Sequence, residues 1–489
     1  MSHNNSYYRP LLLLLLLTTA FRLVYVNFIE LAQDEAYYWD LSRTLQLSYY
    51  DHPPMIIYLI SLFTNLFGNT ELAVRLSPII IADAVTVLVY LIGKEMFDDY
   101  VGFYSALLVN ITLIYSVGSI LATIDTPFAL FWLSAVYSCV KAIKTGDGKW
   151  WYISGIAVGL GLLSKYVMVL FVPALFIFLL LSREHRRWLK RKEPYIGGVV
   201  ALMIFSPVII WNAQNEWLSF KFQLAHGLKT KKAAGLPSFM KYIGSQAAVL
   251  SPFLFLACIW GMAKGLIVWL REKDWRYLFL TSFAAFVVVF FGYSSLKAKV
   301  EGNWPMPAYF TAVIACVALY SKSNYNKKRL LAVIVAGTAF LLTAFAHVQA
   351  ISPVISLKND STNELHGWKQ LGKEVGDALK LIPKDLTKEP FILADSLQLT
   401  AELAFYIPSH PKVYEIAGRG RLSQYNLWPP PETGSDAVMI ADPGVEKDPY
   451  ISSLFEDIRE VKRIEIGRGD KVIRIYSLFH CRNFRGFKG

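Results

Sequence analysis

Long apolar runs separated by short polar segments form the main pattern of this chain. A helix needs about 20 residues to cross about 30 Å of hydrocarbon, and many of the runs approach that length. The runs are continuous rather than alternating, which predicts spanning helices. We place candidate spans at residues 11–29, 72–92, 100–121, 126–143, 151–163, 167–181, 196–211, 244–270, 278–293, 305–320 and 330–348. The pattern predicts roughly eleven spans.

The pattern changes after Ser352. Short apolar runs at 391–394, 412–416 and 437–440 predict strands, and 399–406 predicts a helix. Segments 461–466 and 471–478 flank a glycine-rich turn and predict a hairpin. We therefore expect a transmembrane domain over residues 1–350, with external loops, and a small α/β domain over 351–489. The apolar segment Met55–Phe67 is short and predicts an interfacial helix.

Composition agrees with a polytopic membrane protein. The chain is 54% hydrophobic and only 18% charged, with a mean hydropathy of +0.38. Its net charge of +12 lies largely in short loops, where it acts as an orientation signal. No nucleic-acid motif is present, so we expect no nucleic-acid partner. The four cysteines have no spacing typical of a metal site or a disulfide framework.

Loop charge predicts the orientation of the chain. Basic loops near 141–149, 183–192, 271–276 and 322–329 should be cytoplasmic. The loops between them, and the C-terminal domain, should then be external. The external loops would hold most of the residues able to do chemistry, namely Asp34, Glu35, Asp51, Asp125, Lys165, His226, Lys297 and Lys299.

Two pairs of residues that contain acidic side chains follow the first span. Asp34 and Glu35 lie at the start of a short predicted helix, where a carboxylate should stay ionised and could act as a general base; helix capping is the alternative. Asp51 and His52 precede two prolines. Carboxylate plus imidazole could bind a divalent metal or a phosphate, although one such pair is weak evidence.

Further charged residues interrupt apolar runs. Asp125 lies between two runs, where an ionisable group is costly unless it is paired or functional; capping of the next helix by Asp125 or Thr126 is the alternative. Lys165 either extends to the interface or binds an anion. Glu71 and Arg75 are four residues apart, which predicts a local ion pair.

The segment 212–243 carries several lysines on the predicted outer side. A phosphate-bearing ligand would explain them, but long loops also translocate regardless of charge. His226 lies among these lysines, and a lone histidine is usually structural or solvated.

The ordered set of motifs resembles the bacterial branch of the GT-C glycosyltransferases. That branch includes the lipid A aminoarabinose transferases and is related to the protein O-mannosyltransferases. The motifs are Gln33-Asp34-Glu35-Ala36-Tyr37-Tyr38, Tyr50-Asp51-His52-Pro53-Pro54-Met55, Glu71-Leu72-Ala73-Val74-Arg75-Leu76, Thr123-Ile124-Asp125-Thr126-Pro127, Leu162-Leu163-Ser164-Lys165-Tyr166 and Asn303-Trp304-Pro305.

The resemblance implies roles for these positions. Asp34 matches the family's principal acidic residue, Asp125 a further acidic motif, and Lys165 a basic residue near the donor phosphate. Asp51 matches a second acidic position that, in the lipid A enzymes, helps to hold a metal with a histidine resembling His226; zinc, magnesium or manganese would suit it. His52 occupies a position where those enzymes carry a lysine. We expect catalysis from Asp34, Glu35 and Asp125, a metal at Asp51 and His226, and donor-phosphate binding by Lys165, His52, Lys297 and Lys299.

The implied activity is inverting transfer of a sugar from a polyprenyl-phosphate carrier to lipid A or a related envelope glycolipid. It would take place at the periplasmic face of the bacterial inner membrane, among membrane lipids. A protein hydroxyl acceptor with the same donor is one alternative. A lipid or sugar transporter is another, although transporters usually show internal repeats and ionisable groups near the midplane.

Overall fold

Helices make up most of the chain in the computed structural model, which describes residues 7–228, 235–322, 325–357, 360–381, 390–418 and 421–487. The first helices are α1 Tyr8–Tyr25, α2 Gln33–Ser42, α3 Met55–Phe67, α4 Glu71–Met96, α5 Asp99–Asn110, α6 Leu113–Gly118, α7 Asp125–Thr145, α8 Lys149–Ser164, α9 Phe171–Leu181 and α10 Glu193–Gln214. The later ones are α11 Leu218–Leu228, α12 Leu236–Leu250, α13 Pro252–Glu272, α14 Trp275–Ser295, α15 Met306–Ser321, α16 Tyr325–Ile351, α17 Trp368–Leu381, α18 Leu397–Tyr406 and α19 Pro449–Ser453.

Seven segments among the described residues are long and apolar enough to cross a membrane, and three shorter apolar helices accompany them. This confirms a polytopic helical membrane protein, while the number of eleven spans stays a prediction. The seven are Tyr8–Phe28, Glu71–Met96, Asp125–Thr145, Glu193–Gln214, Pro252–Glu272, Trp275–Ser295 and Arg329–Ile351.

Two predicted spans are wrong as single helices. The run 100–121 is divided into α5 and α6, which are separated at residues 111–112. The run 244–270 is divided at Ser251, whose φ of 84° ends α12 and whose hydroxyl accepts the Leu254 amide at the start of α13. Pro252 then begins α13, because proline fits the first turn of a helix. The short helix Met55–Phe67 is confirmed over the predicted residues.

Small residues allow close packing between α8 and α10. A Cβ atom at Gly155 would lie 2.2 Å from the carbonyl oxygen of Gly197, so neither position accepts a larger residue without a shift of the backbone. Membrane helices associate through such small-residue contacts, because lipid supplies no hydrophobic drive between helices. This contact fixes α8, which ends at Ser164, one residue before Lys165.

Within the described residues, five strands form one mixed sheet: β1 Phe391–Ala394, β2 Val413–Glu415, β3 Ala437–Ala441, β4 Asp457–Arg468 and β5 Lys471–Arg482. Their order is β2-β1-β3-β5-β4, with β1 parallel to β2 and β3, and β5 antiparallel to β3 and β4. The predicted strands, the helix after β1 and the hairpin are confirmed. The core of the sheet includes Leu393, Met439, Phe455 and Phe479.

The chain forms two compact units. One comprises Met1–Val24, Leu47–Ile56 and Leu76–His347, and we call it the helical unit. The other comprises Tyr25–Gln46, Ile57–Arg75 and Val348–Gly489, and we call it the sheet unit. The predicted site residues are distributed over both units: Asp34 and Glu35 belong to the sheet unit, and the remainder belong to the helical unit.

Candidate active site

Asp125 and Lys165 form a buried ion pair in the helical unit. The Lys165 Nζ atom lies 2.6 Å from Asp125 Oδ1, and the two side chains are 9% and 10% exposed. Asn303 Nδ2 donates to the other oxygen, Asp125 Oδ2, at 2.7 Å. Asp125 therefore holds Lys165 in place and is itself held by Asn303.

Local structure explains how these residues reach one another. Asp125 is the first residue of α7, and Lys165 leaves the end of α8 in an extended conformation. Side-chain capping of α7 does not occur, and the Thr126 hydroxyl instead donates to the Gly118 carbonyl at 2.9 Å. The capping alternative is therefore wrong, and the carboxylate of Asp125 is directed to Lys165 and Asn303.

The ammonium group of Lys165 retains hydrogen-bonding capacity. A lysine ammonium has three donors, and within the described ranges one acceptor, the Asp125 carboxylate, meets them. The Phe128 ring lies 6.0 Å from Nζ and gives this charge an apolar neighbour. A buried cation with unused donors is suited to bind an anionic group.

Helix α11 connects the loop of Asp51 with the loop of Lys165. Gln223 Nε2 donates to the Asp51 carbonyl at 2.7 Å, and Ser219 Oγ lies 2.9 Å from the hydroxyl of Tyr166. Asp51 is buried, with 1% exposure, and His52 is half-buried. The α11 helix thus fixes two of the predicted site loops in the same unit.

His226 belongs to α11, three residues after Gln223, but its side chain lies outside the described part of the structure. The lysines at 229, 231 and 232 also lie outside the described residues. Among the residues that are described, no group of three or more metal-ligating side chains occurs. The described residues therefore do not supply a complete metal site.

Lys297 and Lys299 are placed differently from Lys165. Lys297 lies over the Tyr293 ring at 4.4 Å, and Lys299 pairs with Glu301 at 2.9 Å with both side chains exposed. Charges in such positions are screened by solvent and interact weakly.

In the sheet unit, Asp34 and Glu35 have different surroundings although they are neighbours in the first turn of α2. Asp34 is exposed, whereas Glu35 is fully buried. The Glu35 oxygens accept from Arg75 at 2.9 and 2.6 Å and from the Ala32 amide at 2.9 Å. Glu35 therefore acts as an anchor for the start of α2.

Arg75 uses its whole guanidinium group in this anchor. Besides Glu35, it donates to the carbonyls of Val26, Ile29 and Glu30 at 3.4, 3.0 and 2.7 Å. The predicted pair of Arg75 with Glu71 is wrong. Glu71 instead accepts from Tyr406 at 2.6 Å and pairs with Lys369 at 2.8 Å. The anchor fixes the backbone that carries Asp34.

Glu364 is a residue that the sequence analysis missed. Partial desolvation raises the pKa of the Glu364 carboxyl, and the nearby charge of Asp34 raises it further. Two interacting carboxylates favour retention of a proton on one of them. No local signal marked Glu364, because it follows the last apolar run and becomes a neighbour of Asp34 only in the fold.

The sequence of this chain is similar to those of several known proteins. Residues 51–211 match the family described as dolichyl-phosphate-mannose-protein mannosyltransferase. The chain is 27% identical over 337 residues to lipid A galacturonosyltransferase RgtD of Rhizobium johnstonii, covering 68% of this chain and 69% of that one. It is 23% identical to an undecaprenyl phosphate-alpha-4-amino-4-deoxy-L-arabinose arabinosyl transferase of Proteus mirabilis, covering 58% of this chain and half of that protein.

Solved structures show the fold. The chain matches apo ArnT from Cupriavidus metallidurans with a TM-score of 0.69 and 14% identity, covering 98% of both chains. ArnT bound to undecaprenyl phosphate matches with a TM-score of 0.68 and 14% identity, over 97% of this chain and 98% of that one. An Archaeoglobus fulgidus oligosaccharyltransferase with zinc and sulfate matches with a TM-score of 0.51 and 14% identity, over 81% of this chain and 62% of that one. The chain therefore has an ArnT-like fold, as its motifs predicted, and its sequence is similar to that of lipid A galacturonosyltransferase RgtD.

Proposed function

We propose that this protein transfers a sugar from a polyprenyl-phosphate carrier to lipid A or a related envelope glycolipid, with inversion at the sugar carbon. RgtD and the arabinosyl transferase bear names that state such substrates, and ArnT has been seen with undecaprenyl phosphate. Because the chain spans about half the length of the arabinosyl transferases, donor and acceptor are proposals for this chain. We place the reaction and the sheet unit at the periplasmic face, from the alternation of basic loops.

The observation that carries the proposal is the buried Lys165 with unused donors. When the bond between the sugar carbon and the phosphate oxygen breaks, the lipid phosphate leaves with an additional negative charge. A fixed ammonium at that oxygen stabilises the charge more in the transition state than in the ground state. Asp125 and Asn303 position Lys165, and neither is required to touch the sugar.

We assign the catalytic carboxylate to Asp34. With a hydroxyl acceptor, Asp34 takes the hydroxyl proton while the acceptor oxygen forms a bond to the sugar carbon. With a phosphate acceptor no proton needs removal, and Asp34 orients the nucleophile or stabilises the positive charge that develops on the sugar. We assign Glu35 a positioning role, because Arg75 and the Ala32 amide occupy its oxygens.

We give smaller roles to the other predicted phosphate ligands. Lys299 is exposed and already paired, Lys297 packs on Tyr293, and His52 is half-buried beside Asp51. A divalent metal on Asp51 and His226 stays a prediction. Activity measured after dialysis against a chelator, with and without added zinc, magnesium or manganese, tests it directly.

The proposed function is tested with the purified chain, radiolabelled polyprenyl-phosphate sugars and lipid A. Galacturonate and aminoarabinose are the first donors to compare. We expect transfer from one of them and a loss of about 10²-fold or more in Asp34→Asn, given the usual contribution of a general base. Asp470→Asn, at an exposed hairpin turn of the same unit, is the matched control and should transfer normally.

Two results would redirect the assignment. Flux of a lipid-linked sugar into proteoliposomes without any transfer would favour a transporter. Unchanged lipid A but altered envelope glycoproteins, by mass spectrometry of a deletion strain, would favour a protein acceptor.

A further inference from the structure

A polar cavity lies in the sheet unit at the carboxyl ends of β1 and β3. In the sheet, β1 has β2 as its outer neighbour on one side and β3 on the other. The chain passes from β1 to β2 and then crosses to β3 on the opposite side of β1, so the strand order reverses between β1 and β3. Ligands of open α/β sheets bind at such a switch point. The cavity has a volume of about 410 Å³, which lies within the usual range of small-ligand pockets.

The lining of the cavity is rich in hydrogen-bond acceptors. Asp395 and Asp442 follow the two strands, and the Asp442 amide donates to Asp395 Oδ2 at 3.0 Å. The other lining residues are Gln33, Trp368, Ser396, Gln398, Leu399 and Tyr476. Two carboxylates and two amides suit a ligand that carries several O–H or N–H donors, and they disfavour a phosphate or a carboxylate.

A buried carboxylate lies on α18, the helix whose first turn lines the cavity. Glu402 is 1% exposed, and neither of its oxygens has a hydrogen-bond partner within the described ranges. It lies one helical turn after Gln398 and Leu399 on α18, and helix side chains lean toward the N-terminus, here toward the cavity. Buried polar groups are normally hydrogen-bonded, so Glu402 is an unsatisfied acceptor one helical turn from the lining residues.

The electrostatics of Tyr476 connect Glu402 to the same cavity. Burial raises the pKa of the Tyr476 phenol, and although Arg474 opposes this, the charges of Asp442, Asp395 and Glu402 raise it further. The phenol therefore remains a neutral hydroxyl that lines the cavity among three carboxylates.

We propose that this cavity binds one uncharged or amino-bearing sugar ring. This inference rests on the proposed function, because we take the ring to be part of the acceptor glycolipid. Gln33 lines the cavity and directly precedes Asp34 in α2, so the cavity and the proposed catalytic carboxylate share one helix turn. The cavity thus selects acceptors by their hydroxyl and amino groups, and it supplies a site separate from the one for the donor phosphate.

Binding is tested with the full chain in lipid nanodiscs without any polyprenyl donor. Saturation-transfer NMR is recorded with glucosamine, N-acetylglucosamine and glucose 6-phosphate as probes. We expect a saturation-transfer signal for glucosamine and for N-acetylglucosamine, and little signal for glucose 6-phosphate. Asp395→Asn combined with Asp442→Asn should weaken binding about tenfold or more, as expected for loss of hydrogen bonds to charged groups.

Two further variants keep the test decisive. Gln398→Leu removes an amide from an exposed side chain without altering the sheet, and it should weaken binding of the two sugars. It replaces the double variant as the test if that variant fails to fold. Asp470→Asn removes the same charge at the hairpin turn and should bind as the native chain does.

Equal binding by the native chain and by the lining variants overturns the proposal, as does equal binding of glucose 6-phosphate. The readout does not depend on transfer. A chain that binds the sugars but transfers nothing contradicts the proposed function alone, whereas a chain that transfers normally without binding them contradicts this cavity assignment alone.

Discussion

Two buried ion pairs, one in each unit, differ in how many donors of the cation have an acceptor. In the sheet unit, Arg75 and Glu35 are both fully buried, and every guanidinium donor meets an acceptor. In the helical unit, Lys165 meets one acceptor among the described residues, the Asp125 carboxylate. Arginine suits the first task because its planar fork fixes several acceptors, and lysine suits the second because it is a compact charge with rotatable donors.

The number of unused donors distinguishes an ion pair with a structural role from one that can bind a ligand. A saturated pair cannot accept a ligand without first breaking, whereas a pair with unused donors can accept an anion at little cost. Burial alone would have ranked Glu35 above Asp34 as a functional carboxylate. The hydrogen bonds of Glu35 to Arg75 and to the Ala32 amide instead give Glu35 a structural role.

The largest effect is expected on breaking the saturated pair. Arg75→Met leaves Glu35 buried without a partner and frees three backbone carbonyls. Loss of one partner of a buried pair costs about 3–5 kcal/mol, so we expect a large fall in the thermal midpoint of the purified protein. The double variant Glu35→Met/Arg75→Met should recover much of that loss, because apolar replacement of both partners is often nearly neutral. A double variant no more stable than Arg75→Met would show that the carbonyl contacts, rather than the ion pair, dominate.

The next effect is on catalysis. Lys165→Met should lower the transfer rate about 10²–10³-fold, the range for loss of one preorganised group that stabilises developing charge. Lys299→Met is the matched control, and because exposed pairs contribute little it should stay within about twofold of the native rate. Equal losses in the two variants would make general positive charge, rather than a fixed ammonium, the relevant property.

A smaller effect concerns Glu402. Burial raises the pKa of its carboxyl well above the ordinary 4.5, Arg474 opposes the shift, and Glu30, Glu35 and Glu364 add to it. The folded state therefore binds the proton more tightly than the unfolded state. The contribution of this group to stability should be fully present below about pH 4.5 and be lost as pH rises through the raised folded pKa.

Removal of that carboxyl group should abolish its contribution to the pH dependence. Glu402→Met should add about 1–3 kcal/mol at neutral pH, the usual cost of an unsatisfied buried polar group, and flatten the pH dependence of the thermal midpoint. A variant that is destabilised at every pH, with an unchanged slope, would mean that the charged form is already satisfied in the native chain.

The smallest effect is expected at Lys369, whose side chain is 58% exposed in its pair with Glu71. Lys369→Met should change stability by at most about 1 kcal/mol, since exposed ion pairs contribute little. Thermal unfolding beside Arg75→Met gives the comparison, and a loss as large as in that variant would mean that exposure does not distinguish these pairs.

Much of the fold could be predicted because its signals are local. The apolar runs indicated most spanning helices, and Met55–Phe67 and the strands of the sheet matched their expected positions. The helix breaks after α5 and at Ser251 were missed, because an apolar run has the same composition on both sides of a break.

The pairings of the site residues could not be read from spacing. Glu71 and Arg75 are four residues apart and predicted a pair, yet Arg75 binds Glu35, 40 positions away. Asp125 and Lys165 are likewise 40 positions apart and meet only because α7 and α8 pack as neighbours. Residue types identified the candidates, but tertiary packing decided which of them anchor the backbone and which remain available to a ligand.

The most direct test of the central claim is the affinity of the chain in nanodiscs for undecaprenyl phosphate, measured for the native protein, Lys165→Met and Lys299→Met. A fixed ammonium at the lipid phosphate predicts a loss of about tenfold or more in Lys165→Met, the usual range for a charged hydrogen bond, and native affinity in Lys299→Met. Native affinity in Lys165→Met would contradict the assignment of Lys165 to the donor phosphate.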